Sequence, residues 1–156
     1  MKVKRICSRN IIRAPRSSNL EQAAVLMRQH HVGALLVTED EPGDSQAIGI
    51  VTDRDLVLQA IAEGIGPREL TLGDVMRPTI FSVSENADIF EALETMRGSG
   101  VRRLAVSSGE GVLVGIVSLD DIVDALGAEV TSLAGVIRSE HERECAEQDR
   151  RATLDA

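Results

Sequence analysis

The stretch GIVTDRDL (residues 49–56) decides the fold, and the chain contains a distant copy of it, GIVSLDDI (residues 115–122). In each copy a glycine precedes Ile-Val, and a hydroxyl residue follows with an aspartate three positions later. A glycine before β-branched residues predicts a buried strand that leaves a turn. A hydroxyl residue with an acid three positions later predicts a helix start, where both side chains bond unpaired N–H groups. Each copy therefore predicts a strand, a tight corner and a helix, with a positive dipole end at the corner.

The hydroxyl–aspartate pairs, Thr52 with Asp55 and Ser118 with Asp121, have two interpretations. In the first interpretation they only cap two helices, and each cap stabilises its helix by about 1 kcal/mol. In the second they face a bound anion together with the amides of the corner. The pairs taken by themselves leave both interpretations open.

The two copies belong to a longer internal repeat. Residues 5–12 align with residues 74–81, and residues 20–37 align with residues 89–106, both at an offset of 69 positions. After residue 37 the first copy has three additional residues in a polar turn (residues 39–46), and the motif stretches then align at an offset of 66. Two long matched blocks separated by one loop-sized gap indicate a duplicated unit.

The hydrophobic pattern predicts the order β-α-β-β-α in both halves, each preceded by a short helical turn. Apolar residues recur at helical spacing from Leu20 and from Ile89. The other predicted elements are strands at 11–14, 34–37, 47–51, 80–83, 104–106 and 113–117, and helices at 53–63 and 119–126. One half has a sheet with helices on one side, so the two halves are expected to pack together. The predicted fold class is α/β (α+β), with two repeats in pseudo-two-fold symmetry and a C-terminal helix.

The predicted domains are repeat 1 (residues 3–66), repeat 2 (residues 70–128) and a C-terminal helical tail (residues 129–156). In the tail, Val130, Leu133, Val136 and Ile137 form one short apolar stripe, and residues 138–151 are almost all charged. Two interpretations of the tail stay open. One is a helix that packs by its first turns and then extends into solvent or towards a partner subunit, and the other is a frayed tail.

The composition argues against several function classes. The net charge of −8 argues against affinity for nucleic acid or anionic membranes, and an aromatic content of 1% argues against stacking platforms for single-stranded nucleic acid. No apolar run approaches the roughly 20 residues that span a membrane, and no signal peptide opens the chain. Two cysteines among 156 residues do not suggest a disulfide framework, so we expect a cytoplasmic protein.

Metal binding and catalysis have little support in the sequence. His30-His31 ends the first predicted helix, and His141 and Cys145 lie four positions apart in the tail, but neither pair has further ligands at metal-site spacing. The sequence contains no phosphate-binding glycine loop, no GxSxG and no Cys/His pair placed for nucleophilic catalysis. We therefore predict no metal site, no required cofactor and no enzymatic activity.

The two β-α-β-β-α units, each ending in G-h-h-[ST]-x-x-D, resemble a tandem pair of cystathionine β-synthase (CBS) domains, a Bateman module, over residues 3–127. Both terminal motifs and two Val-x-x-Leu-x-Val strands carry the resemblance. It implies frequent homodimers and two clefts that hold adenine nucleotides (AMP, ADP or ATP), NAD-type dinucleotides or S-adenosylmethionine. It also implies that each cleft combines the G-h-h-[ST]-x-x-D of one repeat with the early strands of the other.

By this resemblance the two clefts carry different charges. Cleft A contains Thr52, Asp53, Arg54, Asp55, Phe81, Arg102 and Arg103, and cleft B contains Ile12, Gly33, Ala34, Ser118, Asp120 and Asp121. The aspartates at the motif position, Asp55 and Asp121, are matched to a role in accepting hydrogen bonds from two adjacent ribose hydroxyls. Cleft A has three arginines for phosphate, whereas cleft B has Asp120 in place of Arg54 and Gly33-Ala34 in place of Arg102-Arg103.

Because the additional carboxylate in cleft B disfavours phosphate, we expect cleft A to bind a phosphorylated adenosine. Cleft B is expected to be empty, to bind more weakly or to take a ligand with an uncharged tail. In the alternative interpretation, the arginines are only solvated on an exposed strand edge.

The predicted function is that of a non-catalytic regulatory module, which binds an adenine nucleotide and signals its occupancy through contacts in a homodimer or with a regulated protein. The sequence does not identify that regulated protein. The alternative is a structural module for dimerisation or interaction, in which the clefts are vestigial.

Overall fold

The computed structural model describes residues 1–40 and 46–154 of the chain, and side chains as far as residue 146. Most of the polar turn predicted at residues 39–46 lies outside the described residues. The first repeat contains β1 (Arg13–Pro15), α1 (Leu20–His30), β2 (Ala34–Thr38), β3 (Ala47–Thr52) and α2 (Asp53–Val57). The second contains α3 (Leu72–Val75), β4 (Ser82–Ser84), α4 (Ile89–Ser99), β5 (Arg103–Ser107), β6 (Leu113–Ser118) and α5 (Leu119–Leu154). The predicted order β-α-β-β-α is confirmed in both repeats.

Each repeat forms a three-stranded sheet, in the orders β1-β2-β3 and β4-β5-β6. The first strand runs parallel to the second in each sheet, and β3 runs antiparallel to β2 with Ala34 opposite Thr52. All five residues of β2 are buried, because the sheet interior leaves no water-exposed face at this strand. The middle strands are therefore the centre of the core.

The first strand of each repeat begins two residues later than the sequence pattern predicts, at Arg13 and at Ser82. The backbone nevertheless joins the sheet earlier, since the carbonyls of Ile12 and Phe81 accept hydrogen bonds from Leu36 and Ala105, at 3.0 and 2.9 Å. The two repeats match in this detail as well.

The helices α1 and α4 have the same length and bury the same face. Their buried residues recur at helical spacing and occupy equivalent positions in the two repeats: Leu20, Ala23 and Met27 in α1, and Ile89, Ala92 and Met96 in α4. Asn19 caps α1 in a reciprocal capping box with Gln22, and Asp88 caps α4 through the amide of Phe90. A residue with left-handed backbone ends each helix, His31 at φ 52° and Gly100 at φ 65°.

The repeats exchange short segments that cross from one sheet to the other. Arg77, which precedes β4, pairs with Ile50 in β3 through two backbone hydrogen bonds of 2.9 and 3.0 Å. Ser8 pairs in the same way with Ile116 in β6, through two bonds of 2.9 Å. We call these two pairings the crossing contacts. The short helical turn before each repeat leads into them.

The motif glycines lie within the strands and make room for the crossing contacts. A Cβ on Gly49 would lie 2.8 Å from the carbonyl oxygen of Arg77, and one on Gly115 would lie 2.8 Å from that of Ser8. These glycines lie inside the strands predicted at residues 47–51 and 113–117, which the structure confirms as β3 and β6. Their physical role is the close approach of a second backbone.

The chain divides into two compact units, Met1–Val117 and Ser118–Ala156. The second unit is built on α5, a single helix of 36 residues. The helix predicted to end at residue 126 continues instead through Gly127, and the predicted boundary between repeat 2 and the tail lies inside it. One glycine in a helix interior costs only about 1 kcal/mol relative to alanine, and no proline follows in the helix to stop it. The tail is therefore helical as far as Leu154, which agrees with the interpretation as a helix and not with a frayed tail.

Candidate functional site

The Thr52 corner joins β3 to α2 and holds its aspartate in a reciprocal capping box. The amide and the hydroxyl of Thr52 both donate to Asp55 Oδ2, at 2.9 and 2.6 Å, and the amide of Asp55 donates back to Thr52 Oγ1 at 3.3 Å. Asp55 is only 8% exposed. The capping bonds are therefore present here, and they use one of the two carboxylate oxygens, so both interpretations of the pair stay open.

The other oxygen of Asp55 faces an arginine that comes from the second repeat. Arg77 Nη2 donates to Asp55 Oδ1 at 3.3 Å, across 22 positions of sequence. The Arg77 side chain is 58% exposed, so this buried carboxylate meets a cation that solvent reaches. The backbone of Arg77 is held by its crossing contact with Ile50, which fixes where the side chain starts.

The sequence pattern did not predict a role for Arg77. The available signal was the repeat alignment, in which Arg77 stands opposite Ser8 in the block that pairs residues 74–81 with residues 5–12. A cation that replaces a neutral residue in one copy of a duplicated unit marks a place where the two copies differ in chemistry.

A second ion pair lies at the same corner, between Asp53 and Arg103. Arg103 Nη1 is 3.9 Å from Asp53 Oδ1, and the Asp53 side chain is 60% exposed. Exposed pairs at this distance contribute little stability. The amide of Asp53 donates to the carbonyl of Gly33 at 3.2 Å, and a Cβ on Gly33 would lie 2.6 Å from Arg103 Nη2. Gly33 thus lets the Arg103 guanidinium lie against the backbone at the start of β2.

The structure brings some residues predicted for cleft A together and places others around them. Thr52 contacts Asp55, and Asp53 contacts Arg103. Asp53 Oδ1 also accepts a hydrogen bond from the amide of Arg54 at 2.8 Å. The remaining three predicted side chains of cleft A are exposed: Arg54, Phe81 and Arg102.

The residues predicted for cleft B divide between the two units. In the first unit, Ile12 is partly buried, and Gly33 and Ala34 lie at the Thr52 corner, with Ala34 opposite Thr52 in the sheet. In the second unit, the amide and hydroxyl of Ser118 donate to Asp121 Oδ2 at 2.7 and 2.6 Å. Asp120 is exposed, and Asp121 is partly exposed.

A third corner of the same kind, Thr71 with Asp74, caps α3. The amide and hydroxyl of Thr71 donate to Asp74 Oδ2 at 2.8 and 2.7 Å. The hydroxyl and then the amide of Thr71 lower the pKa of Asp74 below its usual value. Because Asp74 is exposed and lies in a helix of only four residues, the box by itself is a cap. What distinguishes the Thr52 corner is burial and the arginine that faces it.

The candidate metal ligands are sparse. His30 lies in the last turn of α1 and His31 ends it, while Cys145 Sγ lies 3.8 Å from His141 Nε2 on exposed α5. Among the residues that the structure describes, no group of three His, Cys, Asp or Glu side chains is placed to share a metal ion. In the same part of the chain, no helix has the length and hydropathy to cross a membrane, and the cytoplasmic location stays a prediction.

Comparison with known proteins identifies the family. The CBS domain model matches residues 3–60 and again residues 72–128. Hypoxic response protein 1 of Mycobacterium tuberculosis is 43% identical over 103 residues, which cover 66% of this chain and 69% of that protein. An uncharacterised protein of Methanopyrus kandleri is 32% identical over 120 residues, 76% of this chain and 59% of that protein. The chain thus matches less than two thirds of the length of the latter relative.

Solved structures agree with the fold. The crystal structure of Hypoxic Response Protein I with two coordinated zinc ions has a TM-score of 0.64 at 33% identity, covering 80% of this chain and 98% of that one. The CBS domain pair of protein MJ0100, crystallised with 5′-methylthioadenosine and S-adenosylmethionine, has a TM-score of 0.71 at 22% identity, covering 83% and 98%. The latter likeness concerns the fold alone. With both repeats matched in sequence and in structure, the chain belongs to the CBS domain family and carries a tandem pair of CBS repeats, a regulatory module.

Proposed function

We propose that this CBS pair is a non-catalytic sensor that binds an adenine nucleotide in cleft A and signals its occupancy to a regulated protein or to a second copy of the chain. The observation that carries the proposal is the Asp55 carboxylate. It is nearly buried, one oxygen is fixed by Thr52, and the other faces the solvent-accessible Arg77.

The Asp55 carboxylate fits the two adjacent hydroxyls of a ribose. The bonds from Thr52 hold the carboxylate in one orientation, so little further ordering is needed when a ligand binds. The contact from Arg77 is 3.3 Å, longer than the usual N–H···O distance of about 2.9–3.0 Å, and a ribose hydroxyl is a competitive replacement for it.

The arginines around the corner fit the phosphates. If a ribose takes Asp55 Oδ1, the guanidinium of Arg77 is released and becomes available to a phosphate, which it can bind in a bidentate way. Arg103 makes a long contact with Asp53, and Arg54 and Arg102 are exposed at the same corner or strand start. We count Gly33 with cleft A, because its missing side chain leaves space for Arg103.

The charges also rank the candidate ligands. An arginine cluster favours the phosphates of AMP, ADP and ATP over S-adenosylmethionine, whose sulfonium is itself a cation. An NAD-type dinucleotide carries phosphates but must also accommodate a second nucleoside. MJ0100 is a CBS pair crystallised with adenosine-based ligands, which supports the adenosine part of the proposal.

We propose weaker phosphate binding at the Ser118 corner. Ser118 and Asp121 make the same capping bonds as Thr52 and Asp55, but Asp120 follows Leu119 where Arg54 follows Asp53. In the repeat alignment Ser8 stands where Arg77 does. One more carboxylate and one fewer arginine in its sequence make this corner less favourable for phosphate than the Thr52 corner.

The proposed signalling depends on the fact that Asp55 and Arg77 belong to different repeats. Asp55 belongs to the first repeat and Arg77 precedes the first strand of the second, so a ligand that replaces their contact changes an interaction between repeats. Such a ligand shifts the balance between two arrangements only if it binds them with different affinities. A ligand that replaces the Arg77–Asp55 contact would favour an arrangement in which this contact is absent, and that preference would supply the difference in affinity.

The alternative function is that of a structural or interaction module with vestigial clefts. The observation that favours it is that the capping boxes at Thr52, Thr71 and Ser118 each occupy one oxygen of their aspartate without a ligand.

Isothermal titration calorimetry separates the two functions. Purified chain free of co-purified ligand is titrated with adenosine, AMP, ADP, ATP, NAD and S-adenosylmethionine, and the same series is run on Asp55→Asn and Asp74→Asn. We expect one phosphorylated adenosine to bind, and Asp55→Asn to weaken it about 30-fold, equivalent to about 2 kcal/mol for a lost charged acceptor. Asp74→Asn is the matched control, because it alters the same kind of capping box at an exposed corner. Its affinity should equal that of the wild type.

Two results would reject the sensor. One is the absence of heat and of thermal stabilisation with every ligand in the panel. The other is equal binding by the wild type and Asp55→Asn, which would place any nucleotide elsewhere on the chain.

A further inference from the structure

The first half of α5 presents a row of exposed apolar side chains. The row, called here the seam, consists of Val123, Leu126, Val130, Leu133 and Ile137. Successive members are separated by three, four, three and four positions. Their exposed fractions are 58%, 36%, 65%, 65% and 68%, respectively. The seam thus lies on one helix and meets solvent along its length.

The spacing is that of a coiled coil. Alternation of three and four positions has a period of 3.5, which keeps the apolar row facing a partner helix as the two wind around each other. A helix that packs only on its own domain usually shows a wider stripe with period 3.6. The seam fills successive a and d positions of two heptads.

The residue types along the seam specify the partner. The a positions hold Val123, Val130 and Ile137, which are β-branched, and the d positions hold Leu126 and Leu133. In parallel coiled coils, this distribution of residues favours two helices over three or four. The simplest helix with a matching seam in matching register is α5 of a second copy of the same chain.

We propose that the chain dimerises through α5, which pairs in parallel with α5 of a second copy as a two-stranded coiled coil over residues 123–137. This proposal does not depend on the nucleotide site. It also concerns a surface outside the two sheets.

The area of the seam sets the expected strength. Covering its exposed parts removes on the order of 300 Å² of apolar surface per copy, at roughly 100 Å² for a whole aliphatic side chain. Val136 beside the seam is 67% exposed and adds to this area. The total for two copies stays below the roughly 1,200 Å² of a standard stable interface, so the dimer should dissociate in a concentration-dependent way.

Charge ends the seam after Ile137. The next d and a positions are Glu140 and Glu144, both exposed. In a parallel pair, Glu140 and Glu144 each lie opposite the same residue of the second copy. The repulsion between these like charges opposes pairing. Arg143 lies one position before Glu144, at a g position beside the helix interface. Its positive charge offsets part of the repulsion between the glutamates. The coiled coil is therefore expected to cover two heptads and no more.

The test is sedimentation velocity on the full-length chain over a concentration series that reaches the high micromolar range. The wild type should convert from monomer to dimer. Leu133→Glu should weaken the dimer about a hundredfold or more, because it brings two charges into the seam. Ser132→Glu is the matched control, since it adds the same charge at the next position outside the seam, and its dimer should equal that of the wild type.

A variant designed to strengthen the dimer is also needed, because a weaker dimer in Leu133→Glu could result from unfolding. Glu140→Leu with Glu144→Ile continues the pattern of a and d residues and should tighten the dimer by about tenfold or more. Leu133→Cys, in a chain whose Cys7 and Cys145 are replaced by serine, should form a symmetric disulfide on oxidation if the helices are parallel.

Several outcomes would overturn the proposal: a wild type that stays monomeric at the highest concentration, a dimer that Leu133→Glu leaves unchanged, or one that the double glutamate replacement does not tighten. A dimer whose Leu133→Cys variant forms no symmetric disulfide would overturn the parallel arrangement. Each outcome is independent of nucleotide titration, so failure here and failure of the sensor are distinguished.

Discussion

At the Thr52 corner and at the Ser118 corner, three hydrogen bonds of the same kind hold an aspartate at the first turn of a helix. The surroundings differ. Asp55 is buried and accepts from Arg77, whereas Asp121 is partly exposed, and the residue aligned with Arg77 is Ser8. The shared motif therefore sets the backbone and the cap, and the residues outside it set the charge. A motif match alone does not distinguish a cap from a ligand site.

The largest effect should come from the glycines that the two corners share. Gly49→Val and Gly115→Val each force a side chain against a carbonyl oxygen that lies 2.8 Å from the first added carbon. Each change should cost about 3 kcal/mol of unfolding free energy, the upper range for overpacking. Urea denaturation followed by circular dichroism measures it.

Gly127→Ala is the control for these two variants, because nothing lies within 4 Å of a Cβ at that position in α5. It should stabilise the helix slightly. Equal stability of the three variants would mean that the crossing contacts do not constrain the strands.

Converting the first corner to the composition of the second should change its ligand preference. We expect Arg77→Ser to lower the affinity for the phosphorylated adenosine about tenfold, because one charged hydrogen bond is lost. The affinity for adenosine itself should be unchanged or higher. Calorimetry with both ligands gives the two affinities. Arg68→Ser, which removes another exposed arginine paired with Glu21, should change neither.

If Arg77→Ser lowered the affinity for adenosine as much as that for the nucleotide, Arg77 would act by shaping the corner. A role of Arg77 in binding phosphate would then be rejected.

Removing the capping hydroxyls should affect the two corners alike. Thr52→Val and Ser118→Ala each remove a donor to the aspartate and an acceptor for its amide, so each should cost about 1 kcal/mol. Urea midpoints of the two variants provide the comparison. A much smaller loss for Thr52→Val would indicate that the backbone amide of residue 52 and Arg77 hold Asp55 in place without the hydroxyl.

The smallest effect concerns the third box and its pH dependence. Thr71 lowers the pKa of Asp74 in the folded protein, so the stabilisation by this carboxylate is complete above its unfolded pKa and is lost as the pH falls through the folded value. Asp74→Asn should therefore be less stable than the wild type near neutral pH. The difference should shrink as the pH falls below about 4.

Urea midpoints at neutral and acid pH check this prediction. A difference that stayed constant with pH would assign the effect to shape and not to charge.

Much of the molecule was predictable from the chain because its signals are local. The order β-α-β-β-α, the first residues of α1 and α4, and the caps at Thr52 and Ser118 follow from periodicity and from hydrogen bonds between residues three positions apart. The extent of α5 was not predicted, since the charged residues after Ile137 were also consistent with a frayed tail. The heptad spacing of its apolar residues was nevertheless present in the sequence.

The sequence by itself determined the duplicated unit, its element order and the capped corners. Only the tertiary structure decided that Arg77 reaches Asp55, that Arg103 lies against Gly33, and that Gly49 makes room for a crossing backbone. The physical reason is distance along the chain. Arg77 and Asp55 are 22 positions apart, and their contact depends on where the segment before β4 pairs with β3. No periodicity or propensity encodes that pairing, because it is set by the packing of one repeat on the other.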